Sequence, residues 1–503
     1  MDTMDQSPPA QPHPGQSKAL SQTEIRTIII GVLLAMFLAA LDQTIIATAL
    51  PTIGRELGDL EHLSWIVTVY LLTSTAVTPL YGKLSDSYGR RSIMLVGIVV
   101  FIAGSIACAL APSMFVLILA RGLQGIGGGG LIALAQTIIA DLVPPKERGR
   151  YQVYFASVFM TSSLLGPVLG GFFAEHLHWS VIFWINLPLG LIAFAIAFQS
   201  LKKLPRFERP HRLDLLGATL LITATVALLL ALSWGGIRFP WSSLPILGLF
   251  AGSVALWILF ALRMRLAPEP LIPSGVLHNP VVRMGVLAAC FGMGTYIGLT
   301  IYLPIYFESV RGLSASLSGL ALIPLMAGTV IGATLSGRTM ARVKHYKRLP
   351  TIGLLVAIAA TGVLVLYGEA LSVTMVEILL GIISIGLGTL LPVTMVTTQN
   401  AVAPHQMGTA TGTANFFRSL GGAFIVAIFG AIVLSGSGIT GAASFEALGE
   451  AAARSGVNLA DVFSYVFLAA MAGFGLALAF LLALEERPLR GSAAKAADVA
   501  IAD

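Results

Sequence analysis

Residues 82–91, Gly82-Lys-Leu-Ser-Asp-Ser-Tyr-Gly-Arg-Arg91, separate two long apolar stretches, WIVTVYLLTSTAVTPLY before them and SIMLVGIVVFIAGSIACALA after them. Each stretch has about the 20 residues that an α-helix needs to cross a bilayer. A connection this short joins two neighbouring spans into an antiparallel hairpin. The sequence therefore predicts a polytopic membrane protein with this loop at one membrane surface.

The loop itself combines three cations, two glycines and one acid: Lys83, Arg90, Arg91, Gly82, Gly89 and Asp86. The cations indicate the cytoplasmic side, where membrane proteins concentrate Lys and Arg. The glycines permit tight turns. The acid can cap a helix N-terminus or pair with a basic side chain.

The composition of the whole chain supports this interpretation. Of its 503 residues, 56% are hydrophobic and 11% are charged, against about 25% charged in a typical soluble domain. The net charge of +6 does not indicate nucleic acid, because the cations occupy short loops between spans. Cys108 and Cys290 lie in separate apolar runs, and no histidine has metal-ligand spacing. We expect no disulfide, no metal site and no enzyme activity.

Apolar stretches long enough to span a bilayer recur fourteen times, and runs of this length in lipid must be helices. They lie near 26–49, 63–81, 92–111, 114–140, 151–174, 180–201, 214–233, 243–262, 281–306, 317–336, 350–368, 373–397, 408–434 and 462–484. Lys and Arg concentrate in the even-numbered connections. The sequence thus predicts an all-α integral membrane protein with both termini in the cytoplasm.

The basic link at 202–212 and a weak internal repeat divide the chain. The loop from Gly337 to Arg348 occupies, in the second half, the place of residues 82–91, and it keeps a glycine and cations but lacks the acid. Two similar halves indicate alternating access around a site between them. We predict these parts: a disordered tail at 1–25, a six-helix bundle at 26–204, an inserted helix pair at 205–275, a second six-helix bundle at 276–486, and a tail at 487–503.

Four motifs, in the expected order, make the chain resemble the major facilitator superfamily, and within it the fourteen-span drug:proton antiporter branch of the EmrB/QacA type. They are residues 82–91 after the second span, Leu41–Pro51 (LDQTIIATALP) in the first, Arg121–Gly125 (RGLQG) in the fourth, and Leu165–Gly171 (LGPVLGG) in the fifth. The first-span motif departs from the usual pattern, with Ala47-Thr48 in place of Val-Asn.

The resemblance implies a major facilitator fold and export of lipophilic compounds driven by the proton gradient, with no cofactor. It places the chain in a bacterial cytoplasmic (inner) membrane. The implied partners are protons, the substrate and lipid, with a monomer expected and a periplasmic adaptor left open. An alternative is a transporter of one specific metabolite or nutrient, with the same fold and a more polar site.

Asp42 and Arg121 are the ionisable residues that we expect to couple transport to protons. Asp42 lies about 24 Å from the cytoplasmic edge of its span, and Arg121 about 12 Å from the outer end of its own. Their depths differ by roughly 6 Å, within reach of an arginine. A static ion pair that only fixes helix packing is the alternative. The resemblance implies proton coupling for both residues.

Polar and aromatic residues of other spans are candidates to line the substrate cavity: Gln124, Asn415, Arg418, Trp65 and Tyr296. Arg418, near mid-membrane, can bind an anionic group or pair with a helix carbonyl end. Gln124 and Asn415 can equally form hydrogen bonds between helices.

Two glycine-rich segments complete the prediction. Gly166, Pro167, Gly170 and Gly171 form the motif similar to the antiporter signature, and we expect a kink at Pro167 to adjust the fit of the fifth span against the second bundle. Gly127 to Gly130 lack the strand and lysine of a phosphate loop. In residues 82–91, we expect a breakable latch that holds the outward-open state, in which Asp86 interacts either with the N-terminus of a cytoplasm-facing helix in the other bundle or with a nearby arginine. A solvated, positively charged loop is the alternative.

Overall fold

The computed structural model describes residues 21–59, 62–203, 213–436 and 457–489. Within these ranges the first half and the inserted pair comprise α1 (Gln22–Leu57), α2 (Trp65–Tyr88), α3 (Arg90–Ala109), α4 (Met114–Leu142), α5 (Pro145–His176), α6 (Val181–Trp184), α7 (Asn186–Ser200), α8 (Leu215–Trp234) and α9 (Leu244–Leu266). The second half comprises α10 (Ser274–His278), α11 (Pro280–Ser309), α12 (Ala315–Leu320), α13 (Ile323–Met340), α14 (Arg348–Tyr367), α15 (Val373–Gly388), α16 (Leu390–Asn400), α17 (Met407–Gly436) and α18 (Leu459–Ala483).

The all-α prediction is confirmed. In the described part of the chain, thirteen helical segments are long and apolar enough to cross a membrane. The predicted second span, which is α2, is not among them although it has 24 residues. Its threonines, serines and tyrosines lower its hydropathy. The count of fourteen spans and the location of the termini stay predictions.

The first helix begins earlier than we predicted. Ser21 and Glu24 form a capping box, with the Ser21 side chain accepting from the Glu24 N–H and Glu24 accepting from the Ser21 N–H. Residues 22–25 are therefore helical, whereas the sequence assigned them to the tail. The rest of that tail, the link at 204–212, and residues 490–503 lie outside the described residues.

Each half has its own apolar core, and a third cluster joins them. Buried residues of α1–α5 and α7 form the core of the first half, and those of α11–α18 form the core of the second. The inserted pair packs through α8 against α2 and α17, where Trp257 of α9 contacts Phe416 of α17. The inserted helices thus lie over one of the two seams between the halves.

Candidate functional site

Asp42 of α1 and Arg121 of α4 form an ion pair inside the first half. Arg121 Nη1 donates to Asp42 Oδ2 at 2.6 Å, and each side chain is only 1% exposed. Arg121 Nε donates to the Ile66 carbonyl at 3.1 Å, and its guanidinium lies 4.3 Å from the centre of the Tyr70 ring. The predicted contact is therefore present, and both charges are removed from solvent.

Three further side chains complete the surroundings of the Asp42 carboxylate. Gln124 Nε2 and Asn186 Nδ2 donate to Oδ1 at 2.8 and 2.9 Å. Gln124 also accepts from Arg121 at 2.6 Å, and both amides donate to Ser105 Oγ. One carboxylate thus accepts from one cation and two amides, all provided by α1, α3, α4 and α7. Both oxygens of the buried carboxylate therefore have hydrogen-bond donors.

Asn186 and Ser105 were not among the residues predicted from the sequence. Asn186 begins α7, just after the break between α6 and α7, and it is the only polar side chain from Val181 to Phe198. An isolated amide in an apolar span was a usable signal, because such a group needs a hydrogen-bond partner in lipid. Ser105 gave no such signal, since a single serine is common at helix contacts.

Asp86 makes the contact with the second half that we predicted. Its Oδ1 accepts from the Gly408 N–H at 2.9 Å, and its Oδ2 accepts from the N–H and Oγ1 of Thr409, both at 2.7 Å. These donors lie in the first turn of α17, where the helix dipole favours an anion. Arg90 bridges Asp86 and Asp141 of α4. We call the Asp86–Gly408–Thr409 contact the latch.

Three other residues of this loop have separate structural roles. A Cβ on Gly82 would lie 2.4 Å from the Gly408 carbonyl oxygen, so only glycine allows α2 and α17 to approach this closely. Gly89 has φ of +88°, which favours glycine between α2 and α3. The Arg91 guanidinium lies 4.7 Å from the centre of the Phe198 ring of α7.

The seam between α5 and α13 is built differently. A Cβ on Gly337 would lie 2.1 Å from the Gly149 carbonyl oxygen, so the two helices meet backbone to backbone. Gly337 opens the second-half segment that lacks the acid. The two seams therefore differ: a carboxylate binds a helix N-terminus at α2–α17, whereas close packing of glycines joins α5 to α13.

The glycines of the motif at Gly166–Gly171 pack within the first half, and the effect of Pro167 on the fit of α5 against the second bundle stays a prediction. A Cβ on Gly166 would meet Thr44 Oγ1 and one on Gly170 would meet the Ile45 carbonyl oxygen, each at 2.1 Å. Both contacts lie on α1 of the same half, not on the second bundle. Gly166 and Gly170 are four residues apart and therefore lie on the same face of α5. Gly171 lies on another face, where a Cβ would have open space. Thr48 Oγ1 donates to the Pro167 carbonyl at 3.3 Å.

The candidate cavity residues do not come together. Arg418 lines a cavity of about 60 Å³ between α5 of the first half and α11, α16 and α17 of the second. Asn415 donates to Gln136 Oε1 of α4 at 2.7 Å, a hydrogen bond between the halves. Trp65 packs edge-on against Trp234, and Tyr296 packs against the core of the second half.

Family membership follows from comparison with known proteins. Residues 32–426 match the Major Facilitator Superfamily. The chain belongs to this superfamily. A major facilitator is a multi-pass membrane transporter and not an enzyme, in agreement with the predicted class. Within the described residues, no group of three or more His, Cys, Asp or Glu is placed to hold a metal ion.

Several relatives of this major facilitator are named as drug transporters. It is 35% identical over 431 residues to the multidrug transporter protein MdtP of Bacillus subtilis (strain 168), covering 84% of this chain and 78% of MdtP. It is 34% identical to the multidrug resistance protein 3 of the same strain, covering 82% and 80%. The efflux pump dotC of Dothistroma septosporum (strain NZE10 / CBS 128990) is 33% identical, covering 80% and 70%.

Solved structures share the fold at low identity. The human organic anion transporter MFSD10 (TETRAN) superposes with a TM-score of 0.61 at 18% identity, covering 90% of this chain and 99% of that one. The proton:xylose symporter XylE superposes with a TM-score of 0.61 at 15% identity, covering 93% and 97%.

Proposed function

We propose that this major facilitator exports lipophilic small molecules in exchange for protons, with Asp42 as the protonation site and Arg121 as its partner. The observation that carries the proposal is the buried Asp42–Arg121 ion pair. A carboxylate at membrane depth that has one cationic partner is the group whose charge a proton can cancel. The names of the relatives support drug export as the activity.

The contacts of α1 provide a route from Asp42 to the seams between the halves. Protonation of Asp42 removes its attraction for Arg121, which keeps the Ile66 carbonyl and the Tyr70 ring as partners. Two residues further along α1, Thr44 Oγ1 donates to the Ser162 carbonyl of α5 at 2.8 Å. The predicted cytoplasmic end of α5 in turn contacts α13 at Gly149. A change at Asp42 thereby alters the fit between the halves.

The same proposal includes the finer placement of the chain. It is a fourteen-span member of the EmrB/QacA branch in a bacterial cytoplasmic membrane, with both termini inside, and it works as a monomer. Cysteine substitutions at Tyr88, the last residue of α2, and at Leu110, just after α3, test its orientation in a background without Cys108 and Cys290, because both positions are exposed and they flank the two ends of α3. An impermeant thiol reagent added to intact cells should label position 110 and spare position 88. The reverse pattern would contradict the orientation.

The test of function is transport of a lipophilic dye in proteoliposomes with an imposed pH gradient. We expect the gradient to drive dye movement opposite to the proton flow, and Asp42→Asn to abolish gradient-driven movement. The control is Asp214→Asn, which alters another buried acid paired with an arginine, Arg263, and keeps a side chain suited to the helix N-cap. Gradient-driven export by Asp42→Asn would overturn the assignment. Dye movement with the protons would favour the alternative, an importer.

A further inference from the structure

The cavity beside Arg418 lies between the two halves of the transporter. Gln152, Phe155 and Phe159 of α5 line it from the first half, and residues of α11, α16 and α17 line it from the second. Arg418 is 11 residues, or about 16 Å, along α17 from the end that carries the latch. A cavity at this place is exposed to one side of the membrane or the other as the halves rock.

Arg418, which is partly buried, differs from the arginines of this fold that pair with an acid. Arg121 pairs with Asp42, Arg90 with Asp86 and Asp141, and Arg263 with Asp214. For Arg418, the described part of the chain offers neither an ion pair nor a hydrogen bond. The residues that line its cavity include no Asp or Glu. An arginine at membrane depth requires a counter-charge or water, and here the counter-charge is missing from the described protein.

Thr398 of α16 is a second unpartnered polar group of the same cavity. It is 1% exposed, and its Oγ1 has no hydrogen-bond partner among the described residues. A buried hydroxyl without a partner is unfavourable, so its presence at a cavity wall points to a ligand atom. The Gln152 side chain lies on the opposite wall. The third neutral polar side chain of the lining, Thr394, donates to carbonyls of its own helix. The cavity thus offers one cation and three neutral polar side chains.

The rest of the lining is apolar. Phe155 and Phe159 face Leu391 and Met395 across the cavity, a mixture that accepts aromatic and aliphatic groups of varied shape. We propose that this cavity binds lipophilic organic anions, with Arg418 as the counter-ion of a carboxylate, Thr398 as a donor to it, and the phenyl rings against the apolar body. Guanidinium groups suit carboxylates because they donate from a planar fork.

In the present structure the cavity is contracted. Its volume of about 60 Å³ is below the ~300 Å³ of the smallest drug sites. The two seams described above join the halves at the same end of the molecule, and we expect them to limit the volume of the cavity. The site therefore enlarges when the seams separate. The inference deepens the proposed export function, but it concerns binding and is tested without a proton gradient.

The probes are 4-(1-pyrenyl)butyrate and its primary amide, which differ in charge and share the apolar body. Equilibrium binding is measured by dialysis with purified protein in nanodiscs. We expect the wild type to bind the butyrate more tightly. Arg418→Gln should weaken butyrate binding about 10-fold or more, as the loss of a charged hydrogen bond implies, and leave amide binding within twofold. Arg418→Lys should retain most of the preference, because it keeps the charge.

Two variants separate binding from folding. Thr398→Val removes a hydroxyl that makes no internal hydrogen bond, so it should not lower the melting temperature and should still weaken butyrate binding. Arg283→Gln removes an exposed cation from the start of α11 and should change neither probe. Equal affinity of the wild type for both probes, or equal loss of both in Arg418→Gln, would overturn the inference.

The outcome is separable from that of the proposed function. Asp42→Asn should bind the butyrate normally in nanodiscs while losing gradient-driven export. A charge preference that depends on Arg418, together with normal export by Asp42→Asn, would leave the anion site standing and remove the proton role. If Asp42→Asn loses export and the wild type shows no preference for the charged probe, the proton role stands and the anion site is removed.

Discussion

Asp86 and Thr409, 323 positions apart in the chain, are joined by two hydrogen bonds across the seam between the halves. The carboxylate lies against the first turn of α17, and Arg90 holds it from the other side. It is 9% exposed, so water competes weakly for its partners. The latch is therefore a charged contact that only rigid separation of α2 from α17 can break.

Asp86→Asn should weaken the latch and increase the population open at this end. The variant loses the charge that the helix dipole and Arg90 favour, worth about 1–2 kcal/mol in a partly buried place. Spin labels at Tyr88 and His405 should report a longer distance in the variant. Asp59→Asn, which alters an exposed acid, is the control. An unchanged distance distribution in Asp86→Asn would show that the latch does not determine the state.

Gly82→Ala should impair transport and stability together, because the added Cβ would lie 2.4 Å from the Gly408 carbonyl oxygen. Overpacking of this kind costs about 1–3 kcal/mol. Gly171→Ala is a matched control, since a Cβ there meets nothing within 4 Å and alanine favours a helix. Transport is measured as dye efflux, and stability as the melting temperature of the purified protein. Equal behaviour of the two variants would contradict the close approach of α2 and α17.

Arg121→Gln should destabilise the protein by about 3–5 kcal/mol, because it leaves the Asp42 charge buried without a cation. Asp42→Asn leaves the opposite charge unpaired. The double variant removes both charges, so its loss should be smaller than the sum of the single losses. Equilibrium unfolding in detergent measures the three variants against wild type. Strictly additive losses of stability would mean that the two residues do not interact. We expect no proton-driven export from either single variant or from the double variant.

The hydrogen bond from Asn415 to Gln136 should contribute to the closed arrangement of the halves. Its loss in Asn415→Ala or Gln136→Leu should shift the ratio of open to closed molecules by about 2- to 10-fold, from a net value of about 0.5–1.5 kcal/mol. The spin-label pair at Tyr88 and His405 measures this ratio. The double variant should shift it no further than the larger single shift. Independent, multiplying shifts would contradict a direct contact.

Several parts of the site were predictable because each is encoded locally. Asp42 and Arg121 are rare charges inside apolar runs, and their depths could be counted along the helices. Asp86 could be assigned to a helix N-terminus by its charge. The identity of that helix could not be read from the sequence, since it depends on which segment the second half brings to Gly82. Asn186 and Gln124 join Asp42 only because α1, α3, α4 and α7 meet at one depth.

The sequence did not predict which neighbouring helix each side of a motif contacts. Gly166 and Gly170 lie on one side of α5, but the sequence does not say whether that side meets α1 or the other half. The same difficulty applies to Arg418 and Asn415, which are three positions apart on α17. One lines a cavity and the other makes a hydrogen bond with α4, although residues three apart lie on the same helix face. Their surroundings depend on which helix of the first half passes each position.

The sequence by itself determined that the chain is helical, crosses a membrane many times and carries charges at fixed depths, because lipid excludes unpaired polar backbone and rewards apolar runs of a set length. Only the tertiary structure decided which charges are paired. Asp42 has Arg121, Asp86 has α17, and Arg418 has no described partner. Pairing depends on the packing of helices far apart in the chain, and that packing is set by small residues and shape, which leave little trace in hydropathy.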